Sequence, residues 1–221
     1  MRVVAVIPVY NEGERIGEVV RKTLSYVDEV VVVNDGSSDG SGEIAERAGA
    51  RVVSLSRNTG KANALRQGFS AAGECDVVVT LDGDLQHLPE EIPALLRKIE
   101  EGCDLVIGSR FLSGKLSMPP QRRFSNLVTS TIISLLTGRR ITDPQSGFRA
   151  IRASKLRLLK LRAERYAIEH IMILEAVKKG LKVCEVPVSA VYGDEKSHIK
   201  PLRDTLSVAY YILRFVVGGG R

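Results

Sequence analysis

Thr80-Leu81-Asp82-Gly83-Asp84-Leu85-Gln86 follows directly on Val77-Val78-Val79, an apolar run with no polar alternation. Such a run reads as a strand covered on both faces, the kind found inside a parallel sheet. Two acids and an amide then arrive together where the strand runs out. In extended chain Asp82, Asp84 and Gln86 lie on one side. Three oxygen donors, two of them anionic, suit a hard cation such as Mg²⁺ or Mn²⁺, which also accepts phosphate oxygens and water. Gly83 leaves room for a ligand or permits a turn. Acids after strands are common, so the triplet gains its weight from its place at the end of a fourth strand.

The same grammar runs through the preceding chain. Val3–Ile7, Glu29–Val33, Arg51–Leu55, Asp76–Leu81 and Leu105–Ile107 are predicted strands. Glu14–Tyr26, Ser41–Ala48, Lys61–Ala72 and Pro89–Glu101 have helical spacing, with Asp39 or Ser41 able to cap the second helix and Pro89 suited to start the fourth. Repeated strand–helix units imply an α/β fold with a mostly parallel central sheet and right-handed crossovers. Ligands in such sheets bind beyond the carboxyl ends of the strands. Further on, Gln121–Thr137 and Tyr166–Lys179 read as helices, Lys182–Val186 as a strand and Pro201–Val217 as a helix. The last is apolar around most of its circumference from Val208, so it must be covered by the domain, a second subunit or a membrane surface. The expected division is a domain over 1–200 and a helical tail over 201–221.

Composition narrows the class. A chain of 221 residues with 44% apolar content supports one sizeable core. No stretch of about 18 uncharged apolar residues is present, so no transmembrane helix is expected. MRVVAVIPVYNE reads as a first strand and not a signal peptide. Cys75, Cys103 and Cys184 lie far apart with no CxxC spacing, which predicts neither zinc nor a disulfide framework and points to a reducing, cytoplasmic compartment. The net charge of +6 hides an asymmetry: Arg110 to Arg165 holds 13 Lys/Arg against two acids, Asp143 and Glu164. That segment is either a solvated face or a positive field for a phosphate or a lipid surface. Sparse aromatics and the lack of a recognition motif argue against nucleic acid.

Other strand ends carry chemistry as well. Ile7-Pro8-Val9-Tyr10-Asn11-Glu12 closes the first strand; Tyr10 could stack on a base and Glu12 could accept base or ribose hydrogen bonds. Asp35 is the first acid after the second strand, placed to bind ribose hydroxyls or a base edge. Gly60 and Lys61 open a helix and suit an anion, without the spacing of a Walker loop.

Taken together, IPVYNE, VNDGSSDG, RNTGKANAL, TLDGDLQH, GSRF, DPQSGFR, EVPV and the YGDEKS stretch resemble glycosyltransferase family 2 over about residues 2–200. The likeness is closest to its polyprenyl-phosphate hexosyltransferases, the dolichol-phosphate mannose synthase type. This resemblance implies a GT-A fold and an inverting transfer of a hexose from a nucleotide-diphosphate sugar to a lipid phosphate. It implies that Pro8, Tyr10, Glu12, Asp35, Lys61, Asp82 and Gly83 bind the nucleotide sugar, with Lys196 and Ser197 closing on the diphosphate. Asp82, Asp84 and Gln86 would hold Mg²⁺ or Mn²⁺. Arg110, with Arg122 or Arg123, would bind the acceptor phosphate, and Glu169 matches a family acid on that side. Asp143 and Gln145 would lie beside the reaction centre with Asp84, Arg110 and Arg123. His170 departs from the pattern and reads as structural; the loop 192–195 lacks the arginine common in the family, and His198 is a candidate substitute.

Two donor types fit, GDP-mannose and UDP-glucose. The rival readings are a transferase with a sugar hydroxyl acceptor, a nucleotidyltransferase, whose usual glycine-rich first loop is missing here, and an inactive module that binds a membrane surface. Expected partners are the nucleotide sugar, a polyprenyl phosphate and the cytoplasmic face of a membrane, with a homodimer or a membrane-protein partner through the tail helix.

Overall fold

The computed structural model describes residues 1–113, 118–189, 191 and 201–218, with the backbone alone for Arg165 and residues 201–207. In chain order the elements are β1 (Val3–Val9), α1 (Gly13–Leu24), β2 (Glu29–Asn34), α2 (Ser41–Arg47), β3 (Arg51–Ser54), α3 (Lys61–Ala71), β4 (Val77–Thr80), α4 (Ile92–Glu100), β5 (Leu105–Ser109), α5 (Pro120–Thr137), β6 (Arg149–Arg152), α6 (Ala153–Leu156), α7 (Ile168–Lys178), β7 (Val183–Pro187) and α8 (Pro201–Val217). Pro89–Glu91 forms a short 3₁₀ turn, and α4 starts just after it with a proline in its own first turn.

The strands form one sheet in the order β3-β2-β1-β4-β6-β5-β7. All pairings are parallel except those of β6, which runs against both β4 and β5. This strand was not foreseen. Its four residues, Arg-Ala-Ile-Arg, read as a charged stretch because both ends are arginines, yet Arg149 is buried. The antiparallel insertion has a use: β6 begins at the edge where β4 and β5 end, so the 143–148 segment enters the sheet there.

Alternating side chains separate two cores. Val3, Ala5, Ile7 and Val9 face Ile16, Val19 and Val20 of α1 and Ile92, Leu95 and Ile99 of α4. Val4 and Val6 face the other way, toward Ala64 and Leu65 of α3 and Ile171, Met172 and Ile173 of α7. Both sheet faces are therefore covered, which is why the strands read as continuous apolar runs. The strand order reverses between β1 and β4, and the crevice beyond their carboxyl ends is where such folds bind ligands.

One finding overturns a sequence expectation, and another fixes an orientation that periodicity alone leaves open. Cys103 and Cys184 form a disulfide across 81 residues of sequence. Cys103 precedes β5, Cys184 lies in β7, and those strands are neighbours; the pairing is a product of topology and leaves no trace in sequence spacing. The inference of a reducing compartment from unpaired cysteines falls with it. Cys75 is the free cysteine.

The second concerns α5. Its apolar stripe does not face the core. The residues it buries are Asn126, Thr129 and Ile133, while Phe124 is 70%, Leu127 63% and Leu135 78% exposed. Asn126 donates to the Thr142 carbonyl, and the Ser130 and Ser134 hydroxyls bond the Ile141 carbonyl. The polar face is thus matched to the loop beneath it. The tail helix α8 buries Val208 and Ile212, and exposes Tyr210, Leu213, Val216 and Val217. Among the described residues no helix is long and apolar enough to cross a membrane.

Candidate active site

The acid-bearing turn after β4 is built on a close approach. A Cβ on Gly83 would come within 2.6 Å of the Val9 side chain, so glycine here lets the turn settle on β1 and does not open space for a ligand. The turn is not extended chain either. Leu85 takes φ 63°, and the Gln86 N–H bonds Asp84 Oδ1 at 3.0 Å. The alternation that put Asp82, Asp84 and Gln86 on one side does not hold past Asp84; they remain half-buried side chains of one compact turn.

Asp82 is held from α3. Lys61 opens that helix, and its ammonium lies 2.6 Å from Asp82 Oδ1 and 2.9 Å from Glu169 Oε1 of α7. Burial works to lower the Lys61 pKa, but the two carboxylates outweigh it and raise it above its ordinary value. Burial likewise works to raise Asp82, and Lys61 overrides this and holds it low. Gly147 closes the arrangement: a Cβ there would sit 2.7 Å from Asp82 Oδ2 and 3.0 Å from Lys61 Nζ. Glu169 Oε2 is buried without a hydrogen-bond partner among the described residues.

On the β5 side, Arg110 and Asp143 form a bidentate pair. Nε reaches Oδ2 at 2.7 Å and Nη2 reaches Oδ1 at 2.9 Å, while the Arg110 N–H adds a bond to Oδ2 at 3.1 Å. Asp143 is fully buried. Arg149 sits behind it, donating to the Ser146, Pro144 and Glu169 carbonyls, so its positive charge stitches the 143–149 segment to α7. Burial drops the Arg149 pKa to about 10. Gln145 turns toward α5, donating to Ser125 Oγ and Thr129 Oγ1.

Asp35 is buried and accepts three bonds from the loop before α3: the Thr59 N–H, the Thr59 hydroxyl and the Gly60 N–H, at 2.7–2.8 Å. Its carboxylate shapes the Lys61 approach whatever else it binds. Pro8 is half-buried at the end of β1, Tyr10 is 37% exposed, and Glu12 lies 3.4 Å from Arg15 in an ion pair. Asp39 is a cap, bonding the Ser41 and Gly13 N–H groups.

The structure brings Lys61, Asp82, Glu169, Arg110 and Asp143 to one end of the sheet. Arg123 is exposed and Arg122 half-buried on the first turn of α5. Lys196, Ser197 and His198 lie outside the described residues. His170 is buried in α7 with a pKa lowered by burial to about 4, as a structural residue would be.

Three residues without an assigned role turn out to matter. His87 is buried beside Phe148 at 5.3 Å between ring centres, and burial drops its pKa to about 4 against the opposing pull of Asp82. Its place directly after Gln86 was the available signal. Gly147 is described above. Glu185, a lone acid in an apolar strand, bonds the Thr142 and Asp143 N–H groups.

The donor set suits a divalent cation that keeps phosphate and water ligands. Asp82, Asp84 and Gln86 offer oxygen alone, and Asp82 already holds one positive charge, the Lys61 ammonium, in direct contact. Among the described residues no three His, Cys, Asp or Glu side chains gather as a closed metal site, so further ligands would come from phosphate and water.

Residues 4–159 match the family model for glycosyl transferase family 2. The chain belongs to glycosyltransferase family 2. Among family relatives, an undecaprenyl-phosphate mannosyltransferase of Micrococcus luteus is 35% identical over 86% of this chain and 85% of its own length. A UDP-N-acetylglucosamine–dolichyl-phosphate N-acetylglucosaminyltransferase of Methanococcus voltae is 32% identical over 86% and 84%. The fold is GT-A. It matches the crystal structure of Mycobacterium tuberculosis glucosyl-3-phosphoglycerate synthase with a TM-score of 0.74 at 23% identity, over 98% of this chain and 78% of the other; that enzyme was crystallised with Mn²⁺, UDP and glucosyl-3-phosphoglycerate. This family 2 glycosyltransferase thus carries its acidic turn, its Lys61 counter-ion and its Arg110–Asp143 pair at one sheet edge.

Proposed function

We propose that the protein transfers a hexose from a nucleotide-diphosphate sugar, of the GDP-mannose or UDP-glucose type, to a polyprenyl phosphate, with inversion and with the help of a divalent cation. The relatives named for undecaprenyl and dolichyl phosphate support the acceptor class. The observation that carries the choice is α5. A helix that turns Asn126 and Thr129 inward and Phe124, Leu127 and Leu135 outward has an apolar face with no protein partner among the described residues. Arg122 and Arg123 stand at its start, and Arg139 and Arg140 follow its end. Apolar stripe and flanking cations suit a helix lying in the headgroup layer of an anionic lipid surface. A lipid acceptor would be delivered there, next to Arg110.

The site chemistry favours a phosphate acceptor over a sugar hydroxyl. A hydroxyl needs a base, and Asp143 was the candidate. Both oxygens of its carboxylate are already engaged by the Arg110 guanidinium, so an incoming hydroxyl would have to compete for them. A phosphate oxygen is already anionic and needs none.

The reaction is one displacement. An acceptor phosphate oxygen forms a bond to the anomeric carbon while the bond to the donor diphosphate breaks on the opposite face. Pro8, Tyr10, Glu12 and Asp35 border the nucleoside, and Lys61 neutralises the carboxylates that flank the diphosphate. Arg110, with Arg122 or Arg123, holds the acceptor phosphate. A cation bound by Asp82, Asp84 and Gln86 would supply charge stabilisation for the departing diphosphate. The rest is positioning in line.

The test is transfer of radiolabelled sugar from a panel of nucleotide sugars to a polyprenyl phosphate in mixed micelles, with Mn²⁺ or with a chelator. Label entering the organic phase only with metal is expected. Label that stays in water with every donor, or transfer unaffected by chelator, defeats the acceptor or the metal part respectively.

A further inference from the structure

Glu185 is an acid inside a strand, and its surroundings give it a task. It lies mid-β7, paired with Ile107 of β5. Oε1 accepts the Thr142 N–H at 2.9 Å and the Asp143 N–H at 3.1 Å; Oε2 accepts the Thr142 N–H at 2.9 Å and its hydroxyl at 3.0 Å. Thr142 Oγ1 is also 2.6 Å from Ser109 Oγ at the end of β5. Burial raises the Glu185 pKa, and among the described residues no Lys or Arg forms an ion pair with it. A half-buried carboxylate held by N–H and O–H groups, with no cation beside it, is costly to retain for packing alone.

What it holds is the turn that aims the Asp143–Arg110 pair. Ser109 meets Thr142, and Arg110 meets Asp143; Glu185 fixes the second member of each couple by its backbone. Its own position is secure, because β7 is paired along β5 and Cys184, the preceding residue, is bonded to Cys103.

We propose that Glu185 is a positioning residue of the transfer reaction: it clamps the Thr142–Asp143 peptides so that Asp143 presents the Arg110 guanidinium to the acceptor. The proposal rests on the reading of Arg110 as the acceptor's phosphate ligand. It separates the donor residues, most of which follow the ends of β1, β2 and β4, from one that acts only on the acceptor side.

Glu185→Gln tests it, because the amide keeps the size but turns a donor toward the two N–H groups. Expected is a fall of about 10- to 100-fold in kcat/KM for polyprenyl phosphate, the scale of a misplacement near 1 Å, with nucleotide affinity by calorimetry unchanged. Thr142→Val, a milder cut in the same clamp, should shift kcat/KM in the same direction by a smaller factor, and it stands in if Glu185→Gln does not fold. Acceptor kinetics like the parent's, or equal losses on donor and acceptor, would overturn the proposal. The Nε–H resonance of Arg110, assigned through Arg110→Lys, gives a reading that needs no turnover. It should move or broaden in either clamp variant, and an unmoved signal counts against the clamp. If the unaltered protein transfers nothing to polyprenyl phosphate, the acceptor reading fails alone, and this resonance still decides whether Glu185 sets the Arg110 geometry.

Discussion

Lys61 occupies the position that governs charge at the site. Its ammonium contacts both Asp82 and Glu169, so it neutralises one of the carboxylates assigned to the cation. Lys61→Met should therefore tighten Mn²⁺ binding in the absence of nucleotide, by about tenfold or more, as expected for removing one nearby charge in a partly buried site. Electron paramagnetic resonance of free Mn²⁺ reads this directly, and an unchanged affinity counts against Asp82 as a ligand. On the acceptor side, Arg110→Ala should raise the acceptor KM far more than the donor KM, and equal changes would reject its role. His170 makes a separate prediction. Buried and neutral, it binds protons less readily folded, at a pKa of about 4, than unfolded, near its ordinary 6.5. Stability is then lost as pH falls from about 6.5 toward 4, by about 2 kcal/mol at pH 5. Thermal melts of His170→Gln should show a flatter acid limb than the parent. Residue identity made the acids and Arg110 legible in sequence, since strand ends concentrate polar groups. Their partners were not legible: Lys61 to Asp82, Arg110 to Asp143 and Cys103 to Cys184 each join residues far apart in the chain, and only the sheet order pairs them.

Elements divide in the same way. The parallel strands β1, β2 and β4 announced themselves as valine-rich runs, and their ends located the crevice. By contrast, β6 was hidden because its buried arginine imitates a solvated one. The periodicity of α5 gave a helix but not its orientation, because a stripe of Phe and Leu fits a core as well as a lipid surface. What decides is the other face, where Asn126 and the serines find backbone carbonyls around Ile141 and Thr142. Replacing Phe124 and Leu135 by serine should accordingly leave the melting temperature nearly unchanged, since neither side chain is buried. Sedimentation with anionic vesicles should fall about tenfold or more, from roughly 1–3 kcal/mol of apolar contact per side chain. A large loss of thermal stability with intact vesicle binding would contradict the orientation.

At the scale of the whole molecule, the Cys103–Cys184 bond ties edge strand β7 to β5 across 81 residues. A loop of that length predicts up to about 4–5 kcal/mol of stabilisation from the restricted unfolded chain. Dithiothreitol and Cys103→Ser should lower the midpoint of urea unfolding alike, and together no further. A midpoint that ignores both would mean the thiols are not joined in solution. The basic segment from Arg110 to Arg165 also resolves at this scale. Arg110 reaches the site, Arg149 and Arg152 are turned to backbone carbonyls inside the fold, and Arg139 and Arg140 stay on the surface. A single charge total could not distinguish these fates.

The reversed direction of β6 has a bearing on how the chain matures. Its slot exists only once β4 and β5 are both in place, since it bonds to one on each side. The half built from β1, β2 and β3 can assemble from neighbouring segments, whereas the Asp143–Gly147 bend must wait for a distant closure. Nascent molecules would therefore shape the β1–β3 half first and the Arg110–Asp143 corner last.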